Sequence, residues 1–252
     1  MPGLFKTSNP AFNAKTFENR VPGADEPMTL QGTVNKTGFL LFCAAATAGW
    51  TWWLGRTQPE AVTMCLWGGM IVGLVVALAT IFKKQWAPVT APIYALCEGF
   101  ALGGISEILN RAYPGIAFQA LGLTAAVTAA MLLLYTSGTI RATPKFTAGV
   151  IAATGGIFLF YMIDLVMGFF GHHVSLLYSN GPWGIAISIF IVIVAALNLI
   201  LDFDFIETGV YAGAAKYMEW YGAFGIMVTL VWMYIEILHL LSQLRGQRAQ
   251  AT

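Results

Sequence analysis

Charge is what this sequence has least of. Its 252 residues include only 13 lysines and arginines and 12 aspartates and glutamates, for a net charge of +1. Soluble domains carry about 25% charged residues; this chain has 10%, with 58% hydrophobic residues and a mean hydropathy of +0.71. The near-zero balance removes any electrostatic case for a nucleic-acid partner. Cysteine is scarce too. Cys43, Cys65 and Cys97 all lie in apolar runs without metal-ligand spacing, so they read as small packing residues and not as a disulfide framework. No secretory signal is visible, because the first ~36 residues are polar and turn-rich without a short apolar core. Catalytic signatures are missing as well: no G-x-S-x-G, no H-E-x-x-H, no phosphate-binding loop and no dinucleotide glycine pattern. The segment "ILDFDF" also lacks the G-x-G-D setting of an intramembrane aspartyl protease. The chain is therefore not expected to be an enzyme.

Long apolar runs fill most of what remains. A helix needs about 20 apolar residues to cross a bilayer, and seven stretches qualify, at roughly 38–54, 62–82, 87–109, 116–135, 146–170, 183–205 and 221–243. The expected fold is all-α: a polytopic bundle over 38–243, a polar N-terminal tail over 1–37 and a short polar C-terminal tail over 244–252. The tripeptide Asn35-Lys36-Thr37 matches a glycosylation acceptor but abuts the first run, which argues against its use.

Basic residues set the expected orientation. Lys6, Lys15, Arg20, Lys36, Lys83, Lys84, Arg141, Lys145 and Lys216 fall on one side, against Arg56, Arg111, Arg245 and Arg248 on the other. The positive-inside rule then puts the N-terminus in the cytoplasm and, with seven spans, the C-terminus outside. Gly69 with Gly73, and Gly99 with Gly103, have the four-residue spacing that lets membrane helices approach closely.

Against this background five acidic residues stand out inside the runs: Glu98, Asp164, Asp202, Asp204 and Glu236. An ionised acid at mid-bilayer costs at least about 2.5 kcal/mol, so such residues face a bundle interior and commonly have a function. Simple hydrogen bonding between helices is the alternative for any one of them. Asp202 and Asp204 are two positions apart, about 200° around a helix, so only one can face inward, and Asp202 is the deeper. Glu236 and His239 share a helix face. The E-x-x-H pattern suggests a di-iron site, but that needs a second copy and two more glutamates, so His239 is read as a neighbour of Glu236 and not as a stable metal ligand. His172 and His173 form an external loop pair, read as solvated.

"LDFDFIE" (201–207) resembles the aspartate-bearing end of the sixth span in the Bax inhibitor-1 (TMBIM) family. "YIEILHLL" (234–241) is similar to its seventh-span pattern, in which an aspartate precedes an asparagine by three residues. "YALCEGFALGGISE" (94–107) resembles its glycine-rich third span, and "SNPAF" the tail of its bacterial branch. The resemblance implies seven helices with the seventh central, and a pH-sensitive calcium leak for which Ca2+ is only transiently bound. It also implies a possible partner in the membrane protease FtsH, and that Asp202 and Glu236 stand where the family has paired pH-sensing aspartates. Two departures are visible. The second acid is a glutamate, and its distance of 34 residues from the first is longer than the family's usual spacing.

Depth makes that pairing a geometric question. Glu236 would lie about 22 Å into its helix at 1.5 Å per residue, while Asp202 would lie near the cytoplasmic end of the preceding one. The two meet only if "VYAGAAKYMEW" (210–220) adds helix or the sixth helix breaks. By depth, Asp164 is a rival partner for Glu236, and Glu98 a companion for Asp202. Two carboxylates in a low-dielectric site share a proton, which latches their helices; losing it leaves repelling charges that attract a divalent cation. A latch through a basic residue such as Lys83 is the reverse arrangement. The rival functional reading is a membrane interaction protein whose buried acids only hold helices together.

Overall fold

The structure, a computed structural model, describes residues 26–171 and 181–250. It is helical throughout the described residues apart from one isolated antiparallel bridge between Pro27 and Ala215. The helices are α1 (Leu30–Thr57), α2 (Pro59–Phe82), α3 (Ala87–Ala112), α4 (Ile116–Thr136), α5 (Pro144–Phe169), α6 (Pro182–Tyr211) and α7 (Met218–Gln250), with a 3-10 turn at Lys84–Trp86. Six of them, α2 to α7, are long and apolar enough to cross a membrane; α1 is the additional helix. The expected all-α membrane fold is therefore present. The pair His172–His173 lies outside the described residues.

Prolines punctuate the chain. Pro59, Pro144 and Pro182 each open a helix, where the missing N–H is no loss. Each forces the residue before it out of the α region, so Gln58 (ψ 77), Thr143 (ψ 155) and Gly181 (ψ 170) break the chain direction. Gln58 alone separates α1 from α2.

The tail boundaries need correction at both ends. α1 begins at Leu30, eight residues inside the stretch expected as tail, and α7 continues through the expected C-terminal tail to Gln250. The early start has a local cause, since the Thr29 hydroxyl accepts the Gly32 N–H at 3.0 Å and caps the helix. α6 and α7 also extend towards each other, leaving only 212–217 between them.

α7 is enclosed. It packs against α1, α3, α4 and α6, and its buried positions occupy most of its circumference. One apolar cluster joins Leu40 and Ala44 of α1, Ala91 and Tyr94 of α3, and Phe224 and Met227 of α7. A second joins Ile116 of α4, Ala195 and Leu199 of α6, and Met233 and Leu238 of α7. α5 lies at the edge, against α6.

The glycine pairs are points of close approach. A Cβ on Gly99 would lie 1.9 Å from Thr47 Oγ1 and 2.3 Å from the Ala44 carbonyl, and one on Gly103 would lie 2.6 Å from the Ala48 carbonyl. The two contacts advance together along both chains, so α1 and α3 run parallel. A Cβ on Gly69 would meet the Cys97 carbonyl at 2.5 Å. The Thr47 hydroxyl donates to Leu96 O at 3.0 Å across the α1–α3 approach.

Gly99→Ala is expected to lower stability by about 1–3 kcal/mol, the usual cost of overpacking. Gly49→Ala, in open space, is expected to be neutral or stabilising by up to about 1 kcal/mol. Thermal unfolding of the detergent-solubilised variants measures both, and equal melting temperatures would refute the close-approach assignment.

Candidate functional site

Thr229, Glu236 and Gln243 recur every seven residues along α7, and all three are buried. Seven residues make almost two turns, so the three side chains form one stripe. A neighbouring helix meets each of them. Thr229 Oγ1 donates to Asp202 Oδ2 of α6 at 2.6 Å. The Tyr161 hydroxyl of α5 donates to Glu236 Oε1 at 2.7 Å, and Ser188 Oγ of α6 donates to Gln243 Oε1 at 2.8 Å. Trp232, one turn back on α7, donates its indole N–H to the same Glu236 oxygen at 3.2 Å. The Asn198 amide of α6 donates to Thr154 Oγ1 of α5 at 2.8 Å. The result is a polar seam between α5, α6 and α7 within an otherwise apolar bundle.

Glu236 is its most exceptional member. The residue is 3% exposed, and its Oε2 is buried with no hydrogen-bond partner among the described residues. A buried polar atom left unmatched costs about 1–3 kcal/mol, more when charged, so such an atom calls for a proton, a water or a cation.

The other expected residues separate. Asp202 and Glu236 do not pair: Asp202 is engaged by Thr229, and Glu236 lies two turns further along α7, about 10 Å at the helical rise. The reason is the one foreseen from depth. α6 does not break, and its extension to Tyr211 brings Asp202 level with Thr229. Asp164 is buried on α5 at 5% exposure, three residues beyond the tyrosine that reaches Glu236. Glu98 does not accompany Asp202. Its Oε1 lies 3.0 Å from the Cβ position of Gly73, so it faces α2. Asp204 is half-buried, 200° around α6 from Asp202. His239 is half-buried one turn past Glu236. Lys83 makes no latch: it is exposed, and its ammonium stands 4.9 Å from the Trp86 ring centroid. Among the described residues no group of three or more His, Cys, Asp or Glu is placed to hold a metal ion.

The basic latch is made elsewhere, by Glu219, which the sequence reading did not single out. This residue is fully buried at the start of α7. Its Oε1 accepts the Thr29 N–H and the Thr29 hydroxyl, each at 2.8 Å. Its Oε2 is paired with Lys36 of α1, and Lys216 approaches Oε1 at 3.3 Å. That carboxylate, by its hydrogen bond, holds the Lys216 ammonium above the usual lysine pKa. The Met28 N–H donates to Ala214 O at 2.7 Å, so residues 27–29 are strapped to the turn between α6 and α7. A glutamate opening a long apolar run was the available signal; its partners, nearly 200 positions away, gave none. Glu107, buried at 8%, was also passed over. Arg111 Nε donates to it at 2.5 Å, and Arg111 Nη2 donates to Gly55 O at 2.7 Å.

Removing the Glu219 carboxylate should cost about 3 kcal/mol, since it strands Lys36 and two donors of Thr29. In Glu219→Ala the Thr29 amide should exchange hydrogen about tenfold faster or more, measured by hydrogen–deuterium exchange. Unchanged protection there would contradict the strap. Tyr161→Phe should cost about 1 kcal/mol in thermal unfolding by removing the shorter of the two hydrogen bonds to Glu236 Oε1.

No curated protein and no solved structure matches the chain. The sequence model of the family described as Bax inhibitor 1 like matches residues 9–246. That match covers nearly the whole bundle and includes every acidic residue of the seam, and with it the chain is assigned as an integral membrane protein belonging to the Bax inhibitor 1 like family.

Proposed function

We propose that this protein is a proton-gated cation leak in which Glu236 is the gating acid and Asp202 the next oxygen site along the seam. The observation that carries the reading is the unpartnered Oε2 of Glu236, buried near the middle of α7. When the carboxyl is protonated, the site is neutral and the α5–α7 contact through Tyr161 stays closed. When the proton leaves, a charge with half its hydrogen-bonding capacity unmet remains in low-dielectric surroundings. It repels the apolar packing around it and attracts a cation. Calcium is the favoured ion, because hard divalent cations take oxygen ligands, typically six to eight. Asp202, Thr229, Gln243 and backbone carbonyls with water supply passing coordination and not a resident site. Flux therefore rises with pH. No residue is assigned a catalytic role. The lysine-rich end, with the start of α1, faces the cytoplasm of a bacterial inner membrane.

A second reading, as an interaction protein for a membrane protease of the FtsH kind, draws support from the strap of 27–29 on the α6–α7 turn. The two readings diverge in a single assay. Proteoliposomes holding a calcium dye are scanned in pH for the wild type, Glu236→Gln, Asp202→Asn and a chain lacking residues 1–25. The leak predicts that Glu236→Gln flattens the pH profile, with flux about tenfold below wild type at the alkaline end, the equivalent of about 1.4 kcal/mol. Asp202→Asn is expected to lower flux with the profile retained, and the truncation to change neither. Identical profiles for all four proteins would exclude the leak.

A further inference from the structure

At the end of the bundle where α1, α3 and α7 begin, four lysines near these helix starts divide into two pairs. Lys36 and Lys216 are taken up by Glu219. Lys83 and Lys84, in the turn between α2 and α3, meet no carboxylate among the described residues. Each stands instead over an aromatic ring. Lys83 lies 4.9 Å from the Trp86 centroid, and Lys84 lies 5.2 Å from that of Tyr221 on α7. Among the described residues, two adjacent positive charges are thus left without a counter-ion.

What lies beneath them is apolar and open. Phe82 is 82% exposed, Val89 65% and Trp86 53%, all within a turn or so of the two lysines. A soluble anion would use the charges and waste the apolar face. A diacyl lipid with an anionic head uses both, its phosphate on the lysines and its chains along Phe82 and Val89.

We propose that the turn Lys83–Trp86 is a docking site for an anionic phospholipid of the surrounding leaflet, with Lys83 and Lys84 as the phosphate-binding pair. Through Lys84 and Tyr221 the bound headgroup touches the start of α7, so lipid charge is read at the root of that helix. Nothing in this assignment depends on the leak.

The test uses the full chain in vesicles and brominated lipids, which quench tryptophan on contact. The signal of Trp86 is the difference between the wild type and Trp86→Phe. Brominated phosphatidylglycerol in phosphatidylcholine is compared with brominated phosphatidylcholine in phosphatidylglycerol. The expected result is preferential quenching by the anionic lipid, with its apparent affinity falling about fivefold per lysine, hence about 25-fold, in Lys83→Gln/Lys84→Gln. The charge-preserving Lys83→Arg/Lys84→Arg variant keeps the preference, which separates lost charge from misfolding. Raising sodium chloride to 1 M removes it in the wild type. Equal quenching by both lipids overturns the proposal, as does a preference that survives in the glutamine variant. Loss of the preference with sodium phosphate but not with sodium chloride of equal ionic strength also overturns it, because the site would then take the free anion.

Discussion

The constraint behind this structure is that a carboxyl group inside an apolar bundle must obtain its hydrogen bonds from other helices. Water is absent there, and each unmatched group costs kilocalories. The chain meets the requirement by placing Thr229, Tyr161, Trp232 and Ser188 opposite its buried acids and amide. The same bonds fix which helices are neighbours. α5, at the edge, reaches α7 through the Tyr161 hydroxyl and α6 through Thr154, so the least-packed helix is tied to the seam by polar contacts. Among the described residues two buried carboxyl oxygens leave the requirement unmet, Glu107 Oε2 and Glu236 Oε2. Glu107 has the Arg111 guanidinium beside it, whereas Glu236 is held by a hydroxyl and an indole.

The two ends of the bundle treat charge differently from its middle. Glu219 at one end and Glu107 at the other are buried but held by full cations, Lys36 and Arg111. Glu236 and Asp202 are held by neutral hydroxyls and an indole. A carboxylate beside a lysine gains by being charged; one beside a tyrosine hydroxyl gains a hydrogen bond but no counter-ion. The end pairs therefore act as fixed fasteners, while the middle acids rest on neutral donors alone among the contacts described. α3 complements this arrangement. Its glycines let α1 and α2 approach to backbone contact, which makes that side of the bundle stiff and leaves the polar seam to the opposite side.

Much of this was legible in the sequence. The all-helical character and the places of the six span-length helices followed from apolar run length, and the glycine pairs from their spacing, because both signals are local. The acidic residues announced themselves by their cost. Their partners did not, because a hydrogen bond between helices joins positions 27 to 75 residues apart and leaves no periodic mark. Asp202 and Glu236 looked like a pair because the resemblance puts them where the family has paired aspartates, yet two turns of α7 separate them. Lys83 looked like a latch for being basic and near a helix end; an aromatic neighbour three residues on claims it instead. Glu219 escaped notice because a glutamate in a first helical turn is ordinary in any protein. What makes it unusual, complete burial beneath the strap, exists only in three dimensions.

The seven-residue recurrence of Thr229, Glu236 and Gln243 bears on how α7 can move. Over two heptads such a stripe drifts by only about 40° on a straight helix, so it behaves as a nearly linear key. Swivelling the helix by a single residue, about 100°, would present Leu230, Ile237 and Leu244 to Asp202, Tyr161 and Ser188 together. Three polar groups would lose their mates in one stroke. The stripe therefore sets the angular registration of the whole helix, and a piston-like or tilting displacement is the cheaper route to any second conformation.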